Sequence, residues 1–153
     1  MSGRMLVLCV VAVAIAALAA GAARPNILFI LADDQRHDEM ACAGEPFLRT
    51  PHIDRLAQRG VQFENMFVTT SICMASRATI FTGLTQRSNG YAPGNPNSTP
   101  ITDAMLADSF PTLLRGAGYR TGFYGKNHVN YACGNRAAFD RMFDDWKHIH
   151  RAP

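Results

Sequence analysis

The chain has 153 residues, 48% of them apolar, and a formal net charge of +3. That length suits one domain with a sizeable core. The mild charge, with no Lys/Arg cluster interleaved with aromatics, gives no support to nucleic-acid binding. Residues 1–23 read as a signal peptide and residues 24–153 as the mature domain. Arg4 supplies the positive start, Met5 to Ala20 is almost wholly apolar, and Ala20-Gly21-Ala22-Ala23 offers small residues for cleavage. The apolar run is short for a membrane span, so the expectation is an exported protein (periplasmic or secreted) with no stable membrane anchor. Cys9 leaves with the leader, and Cys42, Cys73 and Cys133 remain. An odd count leaves at least one thiol unpaired; Cys42 and Cys133 are free to pair or to stay reduced.

Asn26 to Ala32 carries the continuous apolar run Ile27-Leu28-Phe29-Ile30-Leu31 and ends in Asp33-Asp34. A run without alternation suits a strand buried on both faces, as in a parallel α/β sheet. Asp33 and Asp34 would then lie beyond its carboxyl end, where open α/β sheets bind ligands. Adjacent carboxylates there suit Ca²⁺ or Mg²⁺; the alternative is a solvated turn. Asp33 to Arg49 lacks periodicity and reads as a loop, in which Arg36, His37 and Asp38 line a polar site or are simply solvated.

Thr50 to Gly60 is marked as a helix by Thr50 at the N-cap, Pro51 at the first position and Gly60 past the end. Ile53, Leu56 and Ala57 form its apolar stripe. Val61 to Val68 alternates imperfectly and reads as a second strand. It leads to Cys73-Met74-Ala75-Ser76-Arg77, which opens a helix closed by Thr82-Gly83. A helix start favours anions and activates a thiol; a buried structural cysteine is the alternative.

Gln86 to Pro100 is rich in Gly, Asn and Pro and reads as a surface loop, with Asn97-Ser98-Thr99 matching a glycosylation acceptor. Asp103 to Ala117 reads as helix, broken near Ser109-Phe110-Pro111, with Leu113, Leu114 and Ala117 toward the core and Gly118 as the stop. Tyr119 to Tyr124 reads as a third strand, ending in Gly125-Lys126-Asn127-His128, which puts a cation and an imidazole at another strand end. Phe139, Met142, Phe143 and Trp146 fit one helical stripe. His148 and His150 are close enough for a metal role, against an unstructured terminus.

Four ordered motifs resemble the N-terminal part of the type I (formylglycine-dependent) sulfatases, of the alkaline-phosphatase-like superfamily. They are the apolar strand with Asp33-Asp34, the Thr50-Pro51-His52-Ile53-Asp54 helix start, Cys73 to Arg77 with Thr82-Gly83, and Gly118-Tyr119-Arg120-Thr121 with Gly125-Lys126-Asn127-His128. The resemblance implies an α/β fold, a mostly parallel sheet with helices on both faces. It implies that a maturation enzyme oxidises Cys73 to formylglycine, whose hydrated aldehyde attacks the sulfur of a sulfate ester and later expels sulfate. Asp33, Asp34 and modified Cys73 would ligate Ca²⁺ (or Mg²⁺). Arg77 would hold the nucleophile, and Lys126 and His128 would bind sulfate and steady its developing charge. The implied substrate is a sulfated glycan or an aryl sulfate.

Two positions depart from the family pattern within its motifs: Ala75 stands where proline is commoner, and Asn127 where tryptophan is usual. The family's remaining metal ligands lie far downstream of the stretch matched here, so the expectation is a fragment with an incomplete site. The rival readings are a phosphoester or phosphonate hydrolase of the same superfamily and a non-catalytic product that at most binds sulfated glycans.

Overall fold

A computed structural model describes residues 24–95 and 97–148. The expected leader, residues 1–23, and His150 lie outside the described residues. The chain divides into two compact units at Ala32 and Asp33.

In the first unit, residues 24–32 adopt no strand. Ile27, Leu28, Phe29, Ile30 and Leu31 are all exposed. This corrects the expected strand. Apolar character makes a segment fit for a sheet interior, but a ladder also needs a neighbouring strand, and propensity alone does not hold an isolated strand.

The second unit carries the regular structure. A 3₁₀ turn at Ala41–Ala43 precedes helix α1 (Pro51–Arg59). Then come α2 (Cys73–Thr82), a short α3 (Gln86–Asn89), α4 (Asp103–Ala107), α5 (Phe110–Gly116), strand β1 (Gly122–Gly125), α6 (Asn135–Met142) and strand β2 (Asp145–His148). β1 and β2 pair in parallel, with Phe123 opposite Trp146 and Gly125 opposite His148. The connection between them contains α6, a strand–helix–strand crossover of the kind parallel pairs require. The fold is therefore α/β, with one small parallel sheet among the described residues.

Several expectations change here. Val61 to Val68 forms no strand, and Phe63, Met66, Phe67 and Val68 are exposed. α1 begins at Pro51 as its caps suggest, but the Thr50 hydroxyl does not cap it. It accepts from the Ala41 N–H at 2.9 Å and donates to Asp54 at 2.8 Å, so it ties the 3₁₀ turn to the helix. The apolar stripe of α1 is not buried: Ile53 and Leu56 face solvent. The break at Ser109 is real and separates α4 from α5. Leu113 and Ala117 are exposed, however, and Pro111 is the buried residue of α5. Gln86 to Pro100 is not wholly a surface loop. It starts with α3, and Asn89 is buried, donating to Leu84 O at 3.0 Å and accepting from the Tyr91 N–H at 2.8 Å. Asn97 is exposed. Trp146 leaves the expected helical stripe because α6 ends at Met142 and the chain turns extended at Phe143.

The core is aromatic. Phe139 is fully buried, and its ring lies 5.0 Å from Phe123, 5.2 Å from Phe143 and 5.6 Å from Trp146, centroid to centroid. Phe81 of α2 joins this cluster through Phe123, Phe139 and Phe143. Ala75 and Ala78 present no side-chain bulk and are completely buried, so α2 can pack closely. Gly83 ends α2 in the left-handed region, φ 69°, with its N–H on Thr79 O at 2.8 Å. Only glycine adopts that conformation without a Cβ penalty. The core thus fixes α2 against β1, and these are the two elements that carry the site.

Candidate active site

Cys73 is the first residue of α2, and the N-cap residue Ile72 has no side chain able to cap the turn. The first-turn N–H groups therefore keep their positive character at the position of the thiol. Cys73 is exposed. Its Sγ lies 3.3 Å from Nδ1 of His128.

Arg77 follows Cys73 by four residues, so both lie on the same face of α2 toward the 126–128 segment, but Arg77 is buried, with only 9% of its side chain accessible. A buried guanidinium needs partners. Arg77 donates from Nη1 to the Lys126 carbonyl at 2.7 Å and from Nη2 to Asp33 Oδ1 at 3.0 Å. Lys126 Nζ donates to the other oxygen, Asp33 Oδ2, at 2.7 Å. One carboxylate is thus held between two cations. The hydrogen bond from Lys126, then that from Arg77, holds the Asp33 carboxyl below its usual range.

β1 delivers Lys126 and His128 at its carboxyl end. The turn after it is tight, and His128 takes a positive φ of 57°. Asp34 does so too, at 60°, and these are the two non-glycine residues with positive φ among those described. Such conformations persist where surrounding contacts fix them, and they gather at functional sites.

Five of the six residues singled out from sequence therefore form two linked groups. Asp33, Arg77 and Lys126 make an ion triad. Cys73 and His128 make a contact beside it, joined to the triad through α2 and through the 126–128 turn. Asp34 makes no hydrogen bond or ion pair with any of them. The other residues weighed from sequence go elsewhere: Arg36 pairs with Asp38 at 2.6 Å, and His148, read as a metal candidate or part of an unstructured terminus, lies in β2 with its ring 4.0 Å from that of Phe139. Cys42 and Cys133 are free thiols, so the pairing left open is not formed.

The fit to a divalent cation is partial. Asp34 keeps its whole carboxylate, and each Asp33 oxygen has lone-pair capacity beyond its one bond. No group of three or more His, Cys, Asp or Glu gathers among the described residues. The two aspartates suit one edge of a Ca²⁺ site, which takes six to eight oxygens.

Sequence reasoning missed the residues beneath the turn. Asn127 is buried, and both ends of its amide are used: Nδ2 donates to Val129 O at 3.2 Å, and Oδ1 accepts from the Tyr131 hydroxyl at 3.0 Å. Its only sequence signal is its departure from the family motif. Chemically, the arrangement offers an anion the Lys126 ammonium, an uncapped helix start and an imidazole near one reactive position, while Arg77 stays buried on Asp33 and the Lys126 carbonyl.

A sulfatase family model matches residues 25–151. The N-acetylgalactosamine-6-O-sulfatase of Bacteroides thetaiotaomicron is 41% identical over 109 residues, covering 69% of this chain and 21% of that protein. Bovine (Bos taurus) arylsulfatase A is 38% identical over 121 residues, 76% of this chain and 23% of the relative. Human (Homo sapiens) N-sulphoglucosamine sulphohydrolase is 41% identical over 108 residues, 70% and 21%. The chain spans about a fifth of the length of the curated relatives it matches. With a family match that spans residues 25–151 and so every residue of the site, the chain belongs to the sulfatase family.

Proposed function

We propose that this site is the Cys73-centred part of a sulfuric ester hydrolase. The observation that carries the reading is the exposed Cys73 at the start of α2, 3.3 Å from His128, backed by Arg77 and Lys126. Converted to formylglycine by a maturation enzyme, Cys73 supplies a hydrated aldehyde whose hydroxyl is the nucleophile toward sulfur. Lys126 and the first turn of α2 attract the sulfate group and oppose the charge that develops on its oxygens. Arg77 holds Asp33 and the Lys126 carbonyl, and so fixes the strand end against the helix. His128 Nδ1 lies within reach of the atom at the Sγ position, where it can take the proton of the attacking hydroxyl, and its ring can hydrogen-bond the sulfate and steady its developing charge. Asp33 and Asp34 would hold Ca²⁺, with Mg²⁺ as the second candidate, and the modified Cys73 would be a further ligand. Such a cation would neutralise substrate charge.

The names of the relatives, two of them amino-sugar sulfatases, support a sulfated glycan as the substrate class, with aryl sulfate as the simple surrogate. Residues 1–23 would direct export and be removed after Ala23, leaving residues 24–153 as the mature domain. Among the described residues no helix is long and apolar enough to cross a membrane.

The test pairs an aryl sulfate with an aryl phosphonate monoester. It uses the longest in-frame product carrying this chain, coexpressed with a formylglycine-generating enzyme. Sulfate hydrolysis that exceeds phosphonate hydrolysis and vanishes in Cys73→Ala is expected. Preferential phosphonate hydrolysis, or sulfate hydrolysis that survives Cys73→Ala, would overturn the reading.

A further inference from the structure

His128 is useful only if its ring stays against Cys73, and the side-chain contact that holds it there is the one with Cys73 itself. Its backbone sits at φ 57°, a left-handed conformation that is uncommon for a non-glycine residue. The support comes from beneath. Asn127 precedes His128 and is 5% exposed. Its Nδ2 reaches over His128 to the Val129 carbonyl, closing the turn in which His128 is the middle residue. Its Oδ1 accepts from the Tyr131 hydroxyl at 3.0 Å, and burial drives that phenol well above its ordinary range, which keeps it a donor at neutral pH. On the far side the Asn130 N–H donates to the Tyr91 hydroxyl at 3.1 Å. On the near side the Lys126 carbonyl accepts from Arg77. Residues 126–130 are thus tied at both ends and in the middle, with the exposed His128 ring against Cys73.

We propose that Asn127 is a positioning residue: through Val129 and Tyr131 it locks the turn that holds His128 against Cys73. A buried amide with both ends paired is costly to replace by a group that can pair with neither. A side chain of similar size but no polar atoms would leave the Tyr131 hydroxyl and the Val129 carbonyl without partners and free the turn. Tyr131 acts through Asn127 in the same way. The inference concerns the site assigned above to sulfate ester cleavage, but its readout is position and does not depend on catalysis.

The experiment is NMR on the 153-residue chain, following the nuclear Overhauser contact between the Cys73 β-protons and the His128 ring. The contact is expected in the parent, lost in Asn127→Leu and weakened in Tyr131→Phe. Amide shifts of α2 and α6 should stay at their parent values in both variants. If Asn127→Leu does not fold, Tyr131→Phe decides alone, because it keeps the buried ring and removes one oxygen. A contact of parental strength in the folded variants would overturn the inference. Loss of sulfatase activity with the contact intact would count against the functional reading and leave the positional one standing.

Discussion

Asp33 was expected as a metal ligand, and its side chain instead lies between Arg77 and Lys126. The two roles are compatible, because a carboxylate accepts more than two bonds. The geometry makes Arg77 the keystone of the group. It is nearly buried, while Asp33 keeps 45% of its side chain accessible. Arg77→Met is expected to leave the Lys126 carbonyl without its donor and Asp33 with one cation instead of two. Hydrogen bonds to charged groups contribute about 1.5–3 kcal/mol each, and the exposure of Asp33 places this one toward the lower end, so a loss of about 2 kcal/mol is predicted. Urea unfolding of the parent and the variant measures it; an unchanged midpoint would contradict the keystone role. The identities of the triad members were legible in the sequence, because each stands in a short motif. Their mutual pairing was not, since Asp33 and Lys126 are far apart along the chain and only the fold brings them together.

β1 and β2 are held at their entrance by Asp144. Its carboxylate accepts from the Thr121 N–H at 2.8 Å and pairs with Arg115 Nε at 2.9 Å. The Thr121 hydroxyl donates to the Met142 carbonyl at 2.9 Å. The backbone hydrogen bond from Thr121, more than the charge of Arg115, holds the Asp144 carboxyl below its ordinary range. A carboxyl depressed in the folded state stabilises it fully above the ordinary carboxylate pKa of about 3.9, and that stabilisation is lost as pH falls through the lower folded value. Acid unfolding of the parent should therefore steepen below about pH 4, and Asp144→Asn should flatten that part of the stability profile while lowering stability at neutral pH. Equal slopes in the two proteins would refute the assignment. Helices were more legible than strands at this scale. α2 announces itself through Gly83, and the α4–α5 break through Ser109 and Pro111, because caps are local chemistry. The strands expected at Asn26–Ala32 and Val61–Val68 failed for the opposite reason: a ladder needs a partner that the apolar pattern cannot supply.

At the scale of the whole molecule, the core among the described residues is the aromatic cluster about Phe139, where α2 and β1 meet. Phe139→Ala removes a completely buried ring, and such a truncation costs about 3–5 kcal/mol. It should lower the unfolding midpoint more than any single change at the site, and a smaller loss than for Arg77→Met would show that the core lies elsewhere. The site inherits its geometry from this packing. Phe81 of α2 and Phe123 of β1 meet in the cluster, while Cys73 and His128 stand on the same two pieces of chain. The central claim is that Cys73 is the reactive residue of a sulfate-ester site. Its most direct test is mass spectrometry of the peptide spanning Cys73, from protein coexpressed with a formylglycine-generating enzyme. The prediction is a residue in which sulfur has been lost and an aldehyde oxygen gained. Recovery of only the intact Cys73 thiol, while a control peptide is converted in the same cells, would contradict it.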